Sequence, residues 1–249
     1  MSIAVRRLAV AVCLATSAQL VSAQTADEVI EKSITAVGGR AALGKLHSRT
    51  TTGTITLITP AGDATGSIEI YNAEPNKVRT LIKADLSALG AGELILDQRF
   101  DGSIGYVLDT LQGNRDMTGN QLDNMRNGAF PHPFLKYKAL GMSATLRGTE
   151  KIDGRDAYLL VFEPPTGSVV RQFLDAQTYL PVRTVVQVNV PQLGREIEQT
   201  TDFLDYREVD GVKLPFQLRA SSAIQSYTIT VEKVEHNVAI DTALFSKPK

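Results

Sequence analysis

Tryptophan is absent from the 249-residue chain, and aromatic residues make up only 6% of it. A single cysteine, Cys13, excludes a disulfide framework and any multi-thiolate metal site. Histidine is nearly as scarce, and His47, His132 and His236 are too widely spaced to suggest a His-based metal centre. Neither sign of charge dominates, with 26 Lys+Arg against 27 Asp+Glu and a formal net charge of -1. A nucleic-acid binder needs a basic excess to neutralise phosphates, so that class drops out. Common catalytic motifs are missing too. There is no Gly-x-Ser-x-Gly elbow, no His-Glu-x-x-His, no complete Gly-x-x-x-x-Gly-Lys-Ser/Thr phosphate loop and no dinucleotide fingerprint. After the first 23 residues no apolar run reaches the ~20 residues of a membrane span. The chain reads as a non-enzyme that uses no metal and no cofactor.

What is present begins with an address. Arg6 and Arg7 precede an apolar run over residues 8–18, and Val21-Ser22-Ala23 places small or compact residues before a cleavage point. This is the pattern of an export signal covering residues 1–23, with Gln24 as the new N-terminus. The run is too short for a membrane anchor. Cys13 follows Val12 inside that run, not at its end, so it is a passive member of the signal. The expected product is one domain over residues 24–249, outside the cytoplasm and periplasmic in a Gram-negative host.

The mature chain opens with a helix over residues 26–37. Thr25 or Asp27 can cap it, and Val29, Ile30, Ile34 and Val37 form one apolar face. Gly38-Gly39 ends it, and residues 41–46 can add a turn or two. From residue 50 the period changes to two. Runs at 50–59, 66–71, 78–83, 93–100 and 104–111 alternate as strands joined by turns such as Asp101-Gly102. Strands resume at 143–151 and continue to residue 235. The total is about eleven or twelve, joined by hairpin-type turns, with no helix between the strands up to residue 111. That order excludes a doubly wound parallel sheet. The fold class is mainly β with α. One strongly curved antiparallel sheet, an unclosed barrel, carries an N-terminal helix and a helical insertion.

The insertion, residues 112–142, contains Phe130, Phe134, Leu135, Tyr137 and both Met125 and Met142. It can serve as a lid or as a fixed cap, and composition does not separate the two. A curved sheet has a concave face that must be filled by side chains, a helix or a ligand. The aliphatic positions available to line it are Ile68, Ile70, Ile82, Leu94, Leu96, Leu108, Val186 and Val188. With Tyr106 and the insertion residues Phe130, Phe134 and Leu135, all of these except Val188 are the candidate ligand-binding set. Few are bulky, so an apolar cavity can remain for an acyl chain; a fully packed core is the alternative. His132, held between Pro131 and Pro133, is the one histidine in an unusual setting, and an inert loop residue is its ordinary reading.

Several stretches resemble one family. Gly66-x-Ile68-x-Ile70-Tyr71-x-x-x-Pro75-Asn76-x-Val78-Arg79 resembles the strand–Pro-Asn–strand signature of the LolA/LolB-like superfamily of periplasmic lipoprotein carriers. Leu94-Ile95-Leu96-Asp97-x-x-x-Asp101-Gly102-x-x-x-Tyr106 looks like the next hairpin. Asp205-Tyr206-x-x-Val209-Asp210-Gly211-Val212-x-Leu214-Pro215-Phe216 and Val234-x-x-Asn237-x-x-Ile240-Asp241-x-x-Leu244-Phe245 are similar to outer-membrane lipoprotein-sorting-like proteins. The resemblance implies an unclosed barrel whose apolar concavity carries a lipid or the acyl chains of a lipoprotein. It also implies an envelope membrane protein as an exchange partner, and no covalent chemistry. Carriers of this family usually have Arg before the Pro-Asn pair, where it helps control the lid. Here Glu74 stands there, with its charge reversed. A non-catalytic envelope interaction module with a packed core is the second reading, and an unrecognised hydrolase or isomerase the third.

Overall fold

The computed structural model describes residues 24–190 and 194–248. The expected export signal, residues 1–23, lies outside the described residues.

Helix α1, Ala26–Ala36, starts at a capping box. The Thr25 hydroxyl accepts the Glu28 backbone N–H (3.2 Å), and the Glu28 carboxylate accepts the Thr25 N–H (2.8 Å). An isolated helix of this length is marginal in water, so its buried face must hold it. Val29, Ile30 and Ile34 are essentially solvent-free, and each such side chain contributes roughly 1.5–3 kcal/mol by burial. The turn into α2, Gly39–Leu43, depends on Gly38 at φ 132°, where a Cβ would sit 2.4 Å from the Gly211 carbonyl oxygen.

Among the described residues thirteen strands follow. They are β1 Ser48–Thr59, β2 Gly62–Ala73, β3 Lys77–Asp85, β4 Glu93–Phe100, β5 Gly105–Asp109 and β6 Arg115–Asp116. After the insertion come β7 Ser143–Ile152, β8 Arg155–Glu163, β9 Val170–Asp175, β10 Pro181–Val190, β11 Arg195–Val209, β12 Val212–Ser222 and β13 Ser226–His236. All form one antiparallel sheet in the order β6-β5-β4-β3-β2-β1-β13-β12-β11-β10-β9-β8-β7. The sheet is not closed, because β6 and β7 are its two edges. The expected unclosed barrel is therefore present, with one strand more than the upper count, the two-residue β6.

This order explains the insertion. The chain meanders from β1 outward to one edge, and the next strand begins at the opposite edge. The connection must cross the sheet, and it does so as α3, Gly119–Asn127, and a single 3-10 turn, Pro133–Leu135. A second short helix, expected from residue 134 onward, shrinks to that turn. Leu140 and Gly141 then make only turn-type hydrogen bonds back to Lys136 and Lys138.

Register assigns one face of the sheet continuously across its width. Leu96 pairs with Ile82, Ile82 with Ile68, and Ile68 with Gly53. Further round, Ile55 pairs with Ile229, Ile229 with Leu218, and Leu218 with Phe203. Thr184 pairs with Gln172 and Gln172 with Leu160. The helices and the insertion cover the β7–β10 part of this inner face. There Leu160, Phe162 and Leu174 join the α1 residues, Phe130, Phe134 and Tyr137 in one cluster. Ile55, Ile68, Phe216, Ile229 and Val231 form a second. At the bulge after Thr52, a Cβ on Gly53 would lie 2.2 Å from the Thr230 carbonyl oxygen, so only glycine allows that approach. The C-terminal 3-10 turn, Thr242–Phe245, packs on β3 and β4, and Phe245 is fully buried.

Candidate functional site

The last turn of α3 ties the insertion to two sides of the sheet. On the β2–β3 side the Asn76 amide donates to the carbonyls of Met125 (2.8 Å) and Arg126 (3.1 Å) in the last turn of α3. On the β8–β9 side Asn124 accepts from the Ser168 backbone N–H (2.8 Å) and donates to its hydroxyl (3.0 Å). Asn127 donates to Thr166 O (2.6 Å). Asn76 of the Pro-Asn pair is thus a docking post on the C-terminal carbonyls of α3, adding a second donor to Met125 O, which also accepts the Gly128 N–H (3.2 Å). Glu74 turns elsewhere, to His47 Nδ1 at 2.8 Å.

Below the fastened insertion lies a cavity of about 550 Å³, inside the roughly 300–1,000 Å³ range of small-molecule sites. Its roof is Leu43 of α2 with Pro131, His132, Phe134 and Tyr137. Phe134 stacks on Phe162 of β8, with ring centres 5.2 Å apart, and Tyr137 meets the same ring edge-on at 5.7 Å. The floor is the inner face of β8–β12, including Val170, Thr184, Val186, Phe203, Leu214 and Leu218. Most polar floor groups are satisfied within the protein. Thr184 donates to Gln172 Oε1 (2.7 Å), Gln172 to Arg183 O (2.9 Å), and Tyr206 to Pro181 O (2.8 Å). Burial raises the Tyr206 pKa, so that phenol stays neutral.

The candidates read from the sequence divide into groups. Phe134 and Val186 line the cavity. Phe130 is buried and Leu135 half-buried in the cluster beneath the roof. Ile68, Ile70, Ile82, Leu94 and Leu96 share the inner face but lie on β2–β4, outside the cavity wall. Ile68, Ile70 and Ile82 pack in the cluster that Leu218 joins from the cavity side, while Leu94 packs against Ala84 and Leu86. Tyr106 and Leu108 fall on the opposite face, since they pair with Arg99 and Asp97. The Lys247 ammonium lies 4.7 Å from the centre of the Tyr106 ring there.

Most of the cavity wall lies outside that candidate set, including two nitrogen-bearing side chains, Arg49 and His132. Arg49 on β1 shares the inner face with Thr51 and Gly53, and period two from Ile55 backward points to it. His132 stood out by its Pro flanks, but no pattern pointed it inward. Burial first, and then the Arg49 cation, lower its pKa to about 4, so the ring is neutral at pH 7. Its Nδ1 accepts the Phe134 backbone N–H (3.3 Å), which places the proton on Nε2. Among the described residues no group of His, Cys, Asp and Glu is arranged to hold a metal ion, and no helix is long and apolar enough to cross a membrane.

Comparison with known proteins gives fold relationships. No family model matches the chain, and no curated protein matches it. A solved LolA superfamily protein from Nitrosomonas europaea is 13% identical with a TM-score of 0.56, covering 90% of this chain and 99% of that one. A DUF1329 family protein from Desulfovibrio piger is 15% identical with a TM-score of 0.57, covering 89% and 97%. A putative outer membrane lipoprotein-sorting protein domain from Vibrio parahaemolyticus is 13% identical with a TM-score of 0.54, covering 88% and 97%. At this identity the likeness concerns the backbone path, and the chain has the unclosed-barrel fold of LolA-superfamily proteins.

Proposed function

We propose that this protein is a non-catalytic periplasmic carrier that holds the acyl chain of a lipid or lipoprotein in the cavity beneath its insertion. The observation that carries this reading is a cavity of about 550 Å³ lined mainly by apolar side chains and roofed by a separately fastened segment. Burying an acyl chain is worth roughly 0.8 kcal/mol per methylene, enough for useful and reversible affinity. The half-buried Ile70, Ile82 and Leu96 continue the same inner face and give a longer chain somewhere to run. Fold relatives named for lipoprotein sorting support the role, as does an N-terminal segment with the pattern of a cleaved export signal. An envelope membrane protein is the proposed exchange partner.

The test is titration of delipidated protein with methyl cis-parinarate, a neutral fluorescent chain. Saturable fluorescence enhancement that palmitoyl compounds reverse supports the carrier. No enhancement at any concentration rejects the cavity as a lipid site and favours an interaction module.

A further inference from the structure

Arg49 is half-buried and sits deep on the cavity wall. Among the described residues no carboxylate lies within ion-pair distance of it. Its hydrogen bond is a long one, 3.5 Å to Asn72 Oδ1, and the ring of Phe130 lies 5.6 Å from its guanidinium carbon. Nε is shielded from solvent and has no hydrogen-bond partner among the described residues. Burial lowers the Arg49 pKa only to about 10, so the cation persists at neutral pH.

The other wall residues sharpen this. Among the described residues no Asp or Glu lines the cavity, and the second cation on the wall, Lys213, is exposed. His132 is a neutral N–H donor on the same wall. An unpaired buried charge costs several kcal/mol, and an unused guanidinium fork matches carboxylate or phosphate bidentately.

We infer that the cargo is a free amphiphile with an anionic head, its carboxylate or phosphate seated on Arg49 and His132 and its chain along the apolar floor. This rests on the carrier reading above and narrows it. The acyl chains of a lipoprotein root in neutral ester and amide groups, which leave the Arg49 cation uncompensated. A fatty acid or a monoalkyl phosphate neutralises it.

The experiment uses the delipidated mature chain loaded with methyl cis-parinarate and displaced by palmitate, hexadecyl phosphate or hexadecanol at pH 7.5. In wild type, palmitate, hexadecyl phosphate or both displace the probe at concentrations at least about tenfold below hexadecanol, or about 1.4 kcal/mol. The anion that binds tighter identifies the head. In Arg49→Met the preference falls to within about twofold, while the probe itself still binds. Equal displacement by all three in wild type overturns the inference and leaves the carrier intact. A preference that survives Arg49→Met overturns it too. Failure of wild type to bind the probe removes the carrier reading and this inference together. A measurement without any variant guards against misfolding: palmitate or hexadecyl phosphate raises the wild-type melting temperature more than hexadecanol does, and equal shifts count against an anion site.

Discussion

The Tyr137 hydroxyl donates to the Asp27 carboxylate, joining the insertion to the first turn of α1 across 110 residues of chain. Lys138 adds a second contact to the same carboxylate at 2.6 Å. Both bonds favour the ionised acid, and the Lys138 contact, then Tyr137, lower the Asp27 pKa. This latch is exposed, so its strength is that of a screened surface pair. Asp27→Ala is expected to speed amide exchange over residues 133–142 by about two- to fivefold, with little change in the exchange of β8 and β9. The effect of Asp27 is present above the ordinary carboxylate range and disappears as pH falls through its lowered value. Unchanged exchange in Asp27→Ala at pH 7 shows that the latch is not what holds the insertion.

His132 gives the protein a second pH response with a different window. Its folded pKa of about 4 lies below the usual His value of about 6.5. Between those values the unfolded chain takes up a proton and the folded chain does not. The stabilisation is therefore complete above about pH 6.5 and is lost progressively toward pH 4, by about 1–3 kcal/mol at most. The charged or ionisable groups sharing its cavity wall are Arg49, Lys213, Tyr137 and Tyr206, and none of those types normally titrates in this window. Urea denaturation of wild type and His132→Gln at pH 7.5 and 4.5 isolates the effect. The variant is expected to lose less stability on acidification, and parallel losses rule out a His132 held neutral in the folded state.

The path of the chain was more legible in the sequence than the site. Helix α1 and twelve strands announce themselves by period, and the turns by Gly, Asp and Pro. The site depends on which face each strand shows, and β5 illustrates the difficulty. Ile104-Gly105-Tyr106-Val107-Leu108 is apolar at nearly every position, so alternation leaves the inward set undecided. The hairpin register, Phe100 opposite Gly105, turns Val107 inward and Tyr106 and Leu108 outward. Arg49 poses the reverse problem. A basic residue at a strand start reads as a surface group until the crossing of the insertion encloses it. That crossing follows from sheet order, a long-range property that no local pattern encodes.

On the opposite face, burial would push the Asp97 carboxyl up, but hydrogen bonds from Arg79 and Arg99 hold it below the ordinary range. All three side chains are largely buried, and Arg99 also donates to Ser246 O in the C-terminal segment (3.1 Å). Asp97→Asn leaves two buried guanidiniums without their shared carboxylate and is expected to cost about 3–5 kcal/mol in urea denaturation. Arg99→Ala keeps the bidentate Arg79–Asp97 pair and should cost clearly less. It should also loosen residues 242–248, seen as faster proteolysis from the C-terminus. Equal losses in the two variants contradict a shared counter-ion.

Val186 and Leu218 offer a way to close the cavity without touching its polar groups. Both lie on the floor and are half-buried, so a larger side chain can extend into open space in place of packed neighbours. Overpacking a filled core costs about 1–3 kcal/mol; filling a void with apolar surface gains burial instead. Val186→Trp is therefore expected to leave the urea midpoint unchanged or higher and to weaken methyl cis-parinarate binding by at least about tenfold. Leu218→Trp should act alike from the neighbouring strands. Leu218 also packs in the cluster that holds Ile70 and Ile82, so if a longer chain runs along that face the effect of this variant should grow with chain length from 12 to 18 carbons. A Val186→Trp protein that loses stability and still binds the probe would place the chain elsewhere on the inner face.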